Sequence, residues 1–190
     1  MIEIIKICRE ARPERSIPEW KAEMVGMREA LERFSYVDSS KVVGVRAPRL
    51  AMGGDNQLKM MSSNKFAYDN SLFVEGGPFW PQTLDYKTSW TCPSGQHCPQ
   101  EKYPALWQFP INEIIRNDGK RVSMLRSALK VYETPFSLSQ TILNNFNRSM
   151  SANRAPFVLN LDADYLNSLP QGGAVNALET FLETVSLNLS

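Results

Sequence analysis

The clearest hydrophobic pattern in the chain is an amphipathic helix near its N-terminal end. Ser16-Ile17-Pro18-Glu19 has the form of a capping box, in which the serine begins the helix and the glutamate reaches back to it. Apolar side chains then recur at helical spacing and predict one buried stripe, made of Trp20, Met24, Met27, Leu31 and Phe34. Asp38 and Ser39 end the predicted helix.

Short apolar runs between turn residues predict strands farther along. The run at residues 42–45 is rich in valine and flanked by polar residues, as is typical of a buried strand. Further strands are predicted at 71–74, 84–86, 105–111 and 157–161, and 121–132 fits a strand or a helix. Helical spacing returns at 137–150 and 173–186. This alternation predicts an α/β fold with a mostly parallel sheet.

Composition and charge narrow the classes of partner. The 190 residues are 43% hydrophobic, enough for one domain with a buried core. Lys and Arg number 21 against 20 Asp and Glu, so no basic surface points to nucleic acid or to an anionic membrane. No run reaches the roughly 18 apolar residues of a membrane span. Charges at Glu3, Lys6 and Arg9 interrupt the apolar start, so we expect no export signal in the chain as it stands.

The three cysteines suggest one small disulfide. Cys92 and Cys98 flank a loop rich in Pro and Gly, and we expect them to be bridged with Cys8 unpaired. Closing so short a loop contributes about 2 kcal/mol in the chain-entropy picture. The alternative is the remnant of a metal site that includes His97, the only histidine, although no further Cys or His lies nearby.

Three side chains stand where parallel α/β folds gather functional groups, at the carboxyl ends of strands. Arg46 and Asp162 directly follow predicted strands, and Trp107 lies within one. Each also has a purely structural interpretation: Arg46 paired with an acid, Asp162 capping a turn, and Trp107 in the core. The pattern alone leaves both interpretations open.

Several ordered blocks resemble the chitin deacetylases of the polysaccharide deacetylase (NodB homology) family. They read WKAEMVGMREALERF, VVGVRAPRLAMGGDNQLKMM, NKFAYDNSLFVEGGPFWPQTLDY, a cysteine loop ending Cys98-Pro99, LWQFPINE and NRAPFVLNLDADYL. The resemblance covers about residues 19–185 and matches the C-terminal portion of such proteins. It implies an incomplete, distorted (β/α) barrel that lacks its first strands. Residues 1–15 would be a divergent segment, and 16–190 the C-terminal part of a deacetylase-like domain.

The resemblance also implies roles for individual residues. Family members remove acetyl groups from N-acetylglucosamine units with a divalent metal, usually zinc, held by one Asp and two His. Arg46 stands at the position of the family's orienting arginine, with Pro48 beside it in the same motif. Trp107 stands at the position of the sugar-facing wall, Trp80 is a further candidate for contact with the glycan, and Asp162 occupies the position of the general-acid histidine.

Most of the family's catalytic groups have no counterpart in the chain. It begins after the Thr-Phe-Asp-Asp motif, and the two metal-binding histidines fall near Ile7 and Ala11. Losing one member of such a set costs on the order of 10⁴ to 10⁶ in rate. We therefore expect no metal, no cofactor and no deacetylase activity from this chain alone. Two alternatives are a Ca²⁺ or Mg²⁺ site of Asp85, Asp162 and Asp164, and an active amide hydrolase completed by a longer form or a partner chain.

Missing first strands would expose the sheet edge beside residues 42–45. Either the N-terminal residues cover that edge, or the chain associates through it, or the chain is only marginally folded. The expected partners are therefore chitin or another N-acetylglucosamine glycan, and a second copy through the open edge. Nucleic acid and membranes are not expected partners.

Overall fold

The computed structural model describes the backbone of residues 2–5, and residues 12–88, 90, 92, 96–124, 134–161, 166 and 173–187. Its helices are α1 (Ile17–Ser35), α2 (Gly54–Ser63), α3 (Pro135–Ala152) and α4 (Gly173–Leu187). Its strands are β1 (Ile2–Ile5), β2 (Val42–Arg46), β3 (Tyr68–Asp69), β4 (Phe73–Val74), β5 (Gln82–Thr83), β6 (Trp107–Gln108), β7 (Ile111–Asn112), β8 (Ile114–Ile115) and β9 (Arg121–Val122). The chain divides into two compact units, residues 1–74 with 80–111 and residues 75–79 with 112–190.

A five-stranded sheet in the order β1-β2-β3-β6-β5 forms the centre of the first unit. The first four strands are parallel, and β5 runs antiparallel to β6. The predicted α/β fold with a mostly parallel sheet is confirmed in this unit. The strand predicted at 84–86 is wrong, because Leu84 is buried in a turn whose backbone bonds to Leu106 and Tyr103. The strand lies just before it, in β5.

The edge of β2 is covered by the N-terminal residues. Ile2–Ile5 pairs in parallel with Val42 and with residues 44–46 of β2, and the register shifts once, between Ile2 and Glu3. Of the three alternatives for this edge, coverage by the N-terminal residues is confirmed. The expectation of an open edge beside residues 42–45 is wrong, because β1 supplies the hydrogen-bonding partners that the edge requires.

The helix α1 begins as the capping box predicts. The backbone N–H and the hydroxyl of Ser16 both donate to the Glu19 carboxylate, at 2.8 and 2.6 Å. Trp20 and Met24 are fully buried, whereas Phe34 is 75% exposed. The predicted stripe therefore fails at its C-terminal end, since periodicity shows which side of a helix is apolar but not how far its packing partner extends.

The second unit is held together by α3 and α4. Ile114 of β8, Leu138 and Ile142 of α3, and Ala177 and Phe181 of α4 form one buried cluster. Both helices were predicted, at 137–150 and 173–186, and both are confirmed. The strand predicted at 157–161 is wrong: that segment adopts no strand, and the Phe157 ring packs against Phe146 and Phe181. Within the residues placed by the structure, no helix is long and apolar enough to cross a membrane.

The predicted disulfide is confirmed in the first unit. Cys92 and Cys98 are bonded, with their Cα atoms 5.9 Å apart, and Cys8 lies outside the described residues. The chain after this loop is tied to α2 by Asp55. Its carboxylate accepts hydrogen bonds from the N–H groups of Gln100 and Glu101, at 3.0 and 3.1 Å, and from the Tyr103 hydroxyl at 2.7 Å.

This attachment should weaken in acid. Partial burial disfavours the Asp55 carboxylate, but the hydrogen bonds from Tyr103, Glu101 and Gln100 outweigh it and hold the pKa of Asp55 below its ordinary value of 3.8. A lowered pKa stabilises the folded form above the ordinary value, and the stabilisation is lost as the pH falls through the lowered one. We expect the Gln100 and Glu101 amides to lose exchange protection between about pH 5 and pH 2. Asp55→Asn should abolish this pH dependence, and equal protection at both ends of the range would contradict it.

Candidate functional site

Arg46 and Trp107 lie on the same face of the sheet. The register sets Gly44, Tyr68 and Trp107 level on three neighbouring parallel strands. Two residues farther along the chain lie Arg46 at the end of β2, Asn70 directly after β3 and Phe109 directly after β6. Residues two apart on a strand share a face, so these six form one surface. We call it the strand-end face: Gly44, Arg46, Tyr68, Asn70, Trp107 and Phe109.

The structure thus brings two of the predicted site residues together. From strand spacing and rise, the Arg46 and Trp107 Cα atoms are separated by about 12 Å. Arg46 is the last residue of β2, and Trp107 begins the two-residue strand β6. The carboxyl ends of parallel strands are the usual place for functional groups in α/β folds. Asp162 lies outside the described residues, so its place relative to them stays a prediction.

The Arg46 guanidinium is half-buried and bonds to a neighbouring strand. Its Nη2 donates to the Asn70 side-chain oxygen, and the Asn70 Nδ2 donates to the Phe109 carbonyl at 2.9 Å. The group that accepts the hydrogen bond from Arg46 Nη2 is therefore a neutral side-chain amide and not a carboxylate. A chain of polar groups crosses β2, β3 and β6 at the end of the face.

Trp107 is not a core residue. It is 44% exposed, whereas its neighbours Leu106 and Gln108 are buried. The expectation of a core position is wrong, because the pleat turns Gln108 inward and the indole outward. Beside it, the Tyr68 and Phe109 rings contact each other with centroids 5.0 Å apart. The face therefore combines an exposed indole with a partly exposed aromatic floor.

Gly44 makes room for that floor. A Cβ atom added at Gly44 would lie 2.2 Å from Cζ of the Tyr68 ring. We expect Gly44→Ala to displace Tyr68 and to cost about 1–3 kcal/mol of unfolding free energy. Gly26 in α1 is the matched control, because nothing lies within 4 Å of an added Cβ. Gly26→Ala should instead stabilise by up to about 1 kcal/mol, and urea denaturation of both variants measures the difference. Equal effects would contradict the contact.

Pro48 and Trp80, which were also predicted as site residues, are not among the six residues of the strand-end face. Pro48 is buried at the start of a 3₁₀ turn, where it shapes the backbone after Arg46. Trp80 is 53% exposed and lies just before β5. Because β5 is antiparallel to β6, its beginning lies at the carboxyl end of the parallel strands. Trp80 therefore approaches the sheet from the same end.

The predicted metal alternatives gain no support from the described side chains. Among them, no group of three or more His, Cys, Asp or Glu could hold a metal ion. The sulfurs of Cys92 and Cys98 are bonded to each other, so they do not form a metal site with His97. Asp85 accepts a hydrogen bond from the Ala105 N–H at 3.3 Å, while its proposed co-ligands Asp162 and Asp164 lie outside the described residues. The described donor set does not fit the zinc centre that the resemblance implies.

A buried polar cluster behind the face was missed at the sequence level. Gln57, Asp69, Ser71 and Gln108 are all fully buried. Full burial raises the pKa of Asp69 above its ordinary value, although hydrogen bonds from Ser71, Gln108 and Gln57 act against this. The available signal was the run Asp69-Asn70-Ser71, polar residues at the carboxyl end of a strand in a parallel sheet.

Comparison with known proteins shows what the chain is similar to. No family model matches it. Chitin deacetylase 1 of Bombyx mori is 31% identical over 177 residues, which cover 88% of this chain and 32% of that protein. Chitin deacetylase 8 of Bombyx mori is 25% identical over 156 residues, covering 78% of this chain and 40% of that protein. The chain thus spans about a third to two fifths of the length of these curated relatives.

A solved structure agrees in fold. The crystal structure assigned as a polysaccharide deacetylase from Mycobacterium smegmatis superposes with a TM-score of 0.51 at 21% identity, covering 90% of this chain and 53% of that one. The fold is therefore an α/β fold of the polysaccharide deacetylase (NodB) type. With the sequence matches, the chain is a chitin deacetylase-like protein of that family.

Proposed function

We propose that the chain acts in carbohydrate metabolism, binding chitin or another N-acetylglucosamine glycan at the strand-end face without deacetylating it alone. The observation that carries this proposal is the exposed Trp107 indole on the same face as Arg46 and Asn70. Small-molecule sites combine apolar or aromatic surface with a few placed polar groups. An indole suits the apolar face of a sugar ring, and the half-buried Arg46 guanidinium suits the oxygens of its hydroxyl and acetamido groups. The Asn70 side chain is buried and holds that guanidinium in place.

The absence of activity is proposed from the donor set. The family's zinc centre uses two imidazoles and a carboxylate, and these 190 residues contain one histidine. Arg46 would be the remaining orienting arginine and Asp162 the substitute at the general-acid position. Residues 16–190 would correspond to the C-terminal part of a larger barrel, incomplete in its first strands. The partial coverage of the relatives supports this interpretation.

A second candidate function rests on the same coverage. In a longer form, this stretch would supply the Arg46 and Trp107 side of a metal-dependent hydrolase of amide C–N bonds. The metal ligands would then come from other parts of that protein. Self-association stays a proposal, but the open edge beside residues 42–45 no longer supports it, since β1 occupies the edge of β2.

The catalytic part of the proposal is tested by acetate release. We expect the purified chain, supplied with zinc, to release no acetate from chitopentaose above the blank. After dialysis it should retain far less than one zinc per chain, because one imidazole without clustered thiolates binds the ion weakly. Metal-dependent acetate release, or about one tightly bound zinc per chain, would overturn the inactive assignment but not the binding proposal.

The binding part is tested by co-sedimentation with insoluble polysaccharide. We expect the chain to pellet with chitin and not with cellulose, which lacks the acetamido groups. Phe34→Ala is the control, because Phe34 is an exposed aromatic residue on α1, away from the strand-end face. It should pellet like the unchanged chain. Failure of the unchanged chain to pellet with chitin would contradict the proposal.

A further inference from the structure

The Asp69 carboxylate is fully buried and accepts four hydrogen bonds. Its Oδ1 accepts from the Gln57 Nε2 and from the Ser71 hydroxyl, both at 2.6 Å. Its Oδ2 accepts from the Ser71 N–H and from the Gln108 Nε2, both at 2.8 Å. A carboxylate offers about four acceptor positions, so all of them are used here.

These bonds connect every strand that carries the strand-end face. Ser71 passes the connection to β2, because its hydroxyl oxygen accepts the N–H of Ala47, the residue after Arg46, at 2.8 Å. Gln108 follows Trp107 in β6. Gln57 is a residue of α2, so its bond to Asp69 connects the cluster to that helix. Its Oε1 also accepts a hydrogen bond from the Gly53 N–H at 2.8 Å. Asp69 thus bonds to the side chain of the residue after Trp107 and, through Ser71, to the backbone of the residue after Arg46.

Burial of the Asp69 carboxyl group carries a desolvation cost, which its hydrogen bonds offset only while they are all made. A buried charge contributes little net stability, since its desolvation offsets its interactions. Its hydrogen bonds are directional, however, and they are satisfied in one arrangement of the strands. This favours a role in geometry over a role in stability alone.

We propose that Asp69 is a positioning residue for the strand-end face, holding Ala47 and Gln108 so that Arg46 and Trp107 are set to bind a glycan. This inference rests on the proposed function. Asp69 itself is buried and would not touch the glycan.

The cluster permits a matched pair of substitutions. In Asp69→Asn, the amide oxygen can keep the bonds from the Ser71 N–H and Gln108, but the new N–H₂ then faces the Gln57 Nε2, so two donors oppose each other. Turning the Gln57 amide over would only move the conflict to the Gly53 N–H. Gln57→Glu removes the conflict, because a carboxylate there accepts both from the new amide at position 69 and from the Gly53 N–H. The double variant Q57E/D69N should therefore rescue what D69N loses.

Two readouts distinguish the inference from the proposed function. Exchange of the Ala47 amide reports the geometry without any ligand, and titration with chitopentaose reports binding. We expect D69N to accelerate Ala47 exchange about tenfold or more and to weaken binding by a similar factor, since a buried donor is left unsatisfied. Q57E/D69N should restore both to within about threefold of the unchanged chain. Met24→Ala, a core truncation in α1, should lower stability while the folded protein keeps its glycan affinity.

Each outcome decides the inference. Loss of both readouts in D69N with rescue in the double variant supports it. Unchanged Ala47 exchange in D69N overturns it, and so does altered exchange with unaltered glycan affinity. Without rescue the hydrogen-bond explanation fails. If the unchanged chain binds no chitopentaose, the proposed function fails, and loss and rescue of Ala47 protection then decide the positioning role by themselves.

Discussion

Replacing Trp107 with alanine is expected to weaken the binding of chitopentaose about 10- to 30-fold, the effect typical of truncating an aromatic hot spot. The indole is 44% exposed between the Tyr68 and Thr83 positions of its neighbouring strands. Its removal takes away the largest apolar surface available to a sugar ring on this face. Because the ring is not part of the core, the free energy of unfolding should change little.

Isothermal titration calorimetry and urea denaturation separate these two effects. Trp107→Phe should keep part of the affinity, since a smaller ring still offers an apolar surface. Tyr86→Ala is the control: Tyr86 is 74% exposed in the same unit but lies outside the strand-end face. If Trp107→Ala binds as tightly as Tyr86→Ala, the indole does not hold the glycan.

The largest loss of stability is expected from Glu113→Ala in the second unit. Glu113 is 2% exposed, and its carboxylate accepts from Arg121 at 2.7 and 2.8 Å and from Arg148 at 3.2 Å. Arg148 also donates to the backbone carbonyls of Glu113 and Gly77, at 2.7 and 3.1 Å. Removing the buried acid leaves a partly buried arginine without its counter-charge. We expect a loss of about 3–5 kcal/mol of unfolding free energy.

The matched control is an exposed ion pair of similar length. Lys59 and Glu101 lie 2.7 Å apart, and both side chains are largely exposed. Such pairs contribute about 0–1 kcal/mol, so Glu101→Ala should have little effect. Thermal and urea denaturation of the two variants give the comparison. A loss for Glu113→Ala no larger than that for Glu101→Ala would show that the Glu113 ion pairs do not stabilise the unit.

The sequence predicted the helices that depend on residues close together in the chain. The capping box of Ser16 and Glu19 forms within one turn of helix, and the apolar spacing of α3 and α4 spans several turns. The strands β3, β5 and β6 have only two residues each. Two residues are too few for an alternating pattern, so the positions of these strands depend on neighbours that are distant in the chain.

The candidate site was only partly predictable because its strands bury polar side chains and expose aromatic ones, the reverse of the usual pattern. In β6 the glutamine is buried and the tryptophan exposed, and in β3 the aspartate is buried and the tyrosine is partly exposed. The reason is the cluster around Asp69, whose partners Gln57 and Gln108 lie 12 and 39 residues away in the chain. Such local conflict with the usual pattern is expected at functional sites. Arg46 and Trp107 were singled out by their places after and within predicted strands, and the family resemblance added the roles that periodicity could not supply.

The most direct test of a glycan site on the strand-end face is a titration of the isotope-labelled chain with chitopentaose, followed by NMR. We expect saturable shifts of the Trp107 indole N–H, of the Asn70 side-chain amide, and of the backbone amides of residues 44–46, 68–70 and 107–109. These residues form the strand-end face or lie next to its members in β2, β3 and β6. Saturable shifts confined to other residues, such as the Cys92–Cys98 loop, or no saturable shifts at all, would contradict this account.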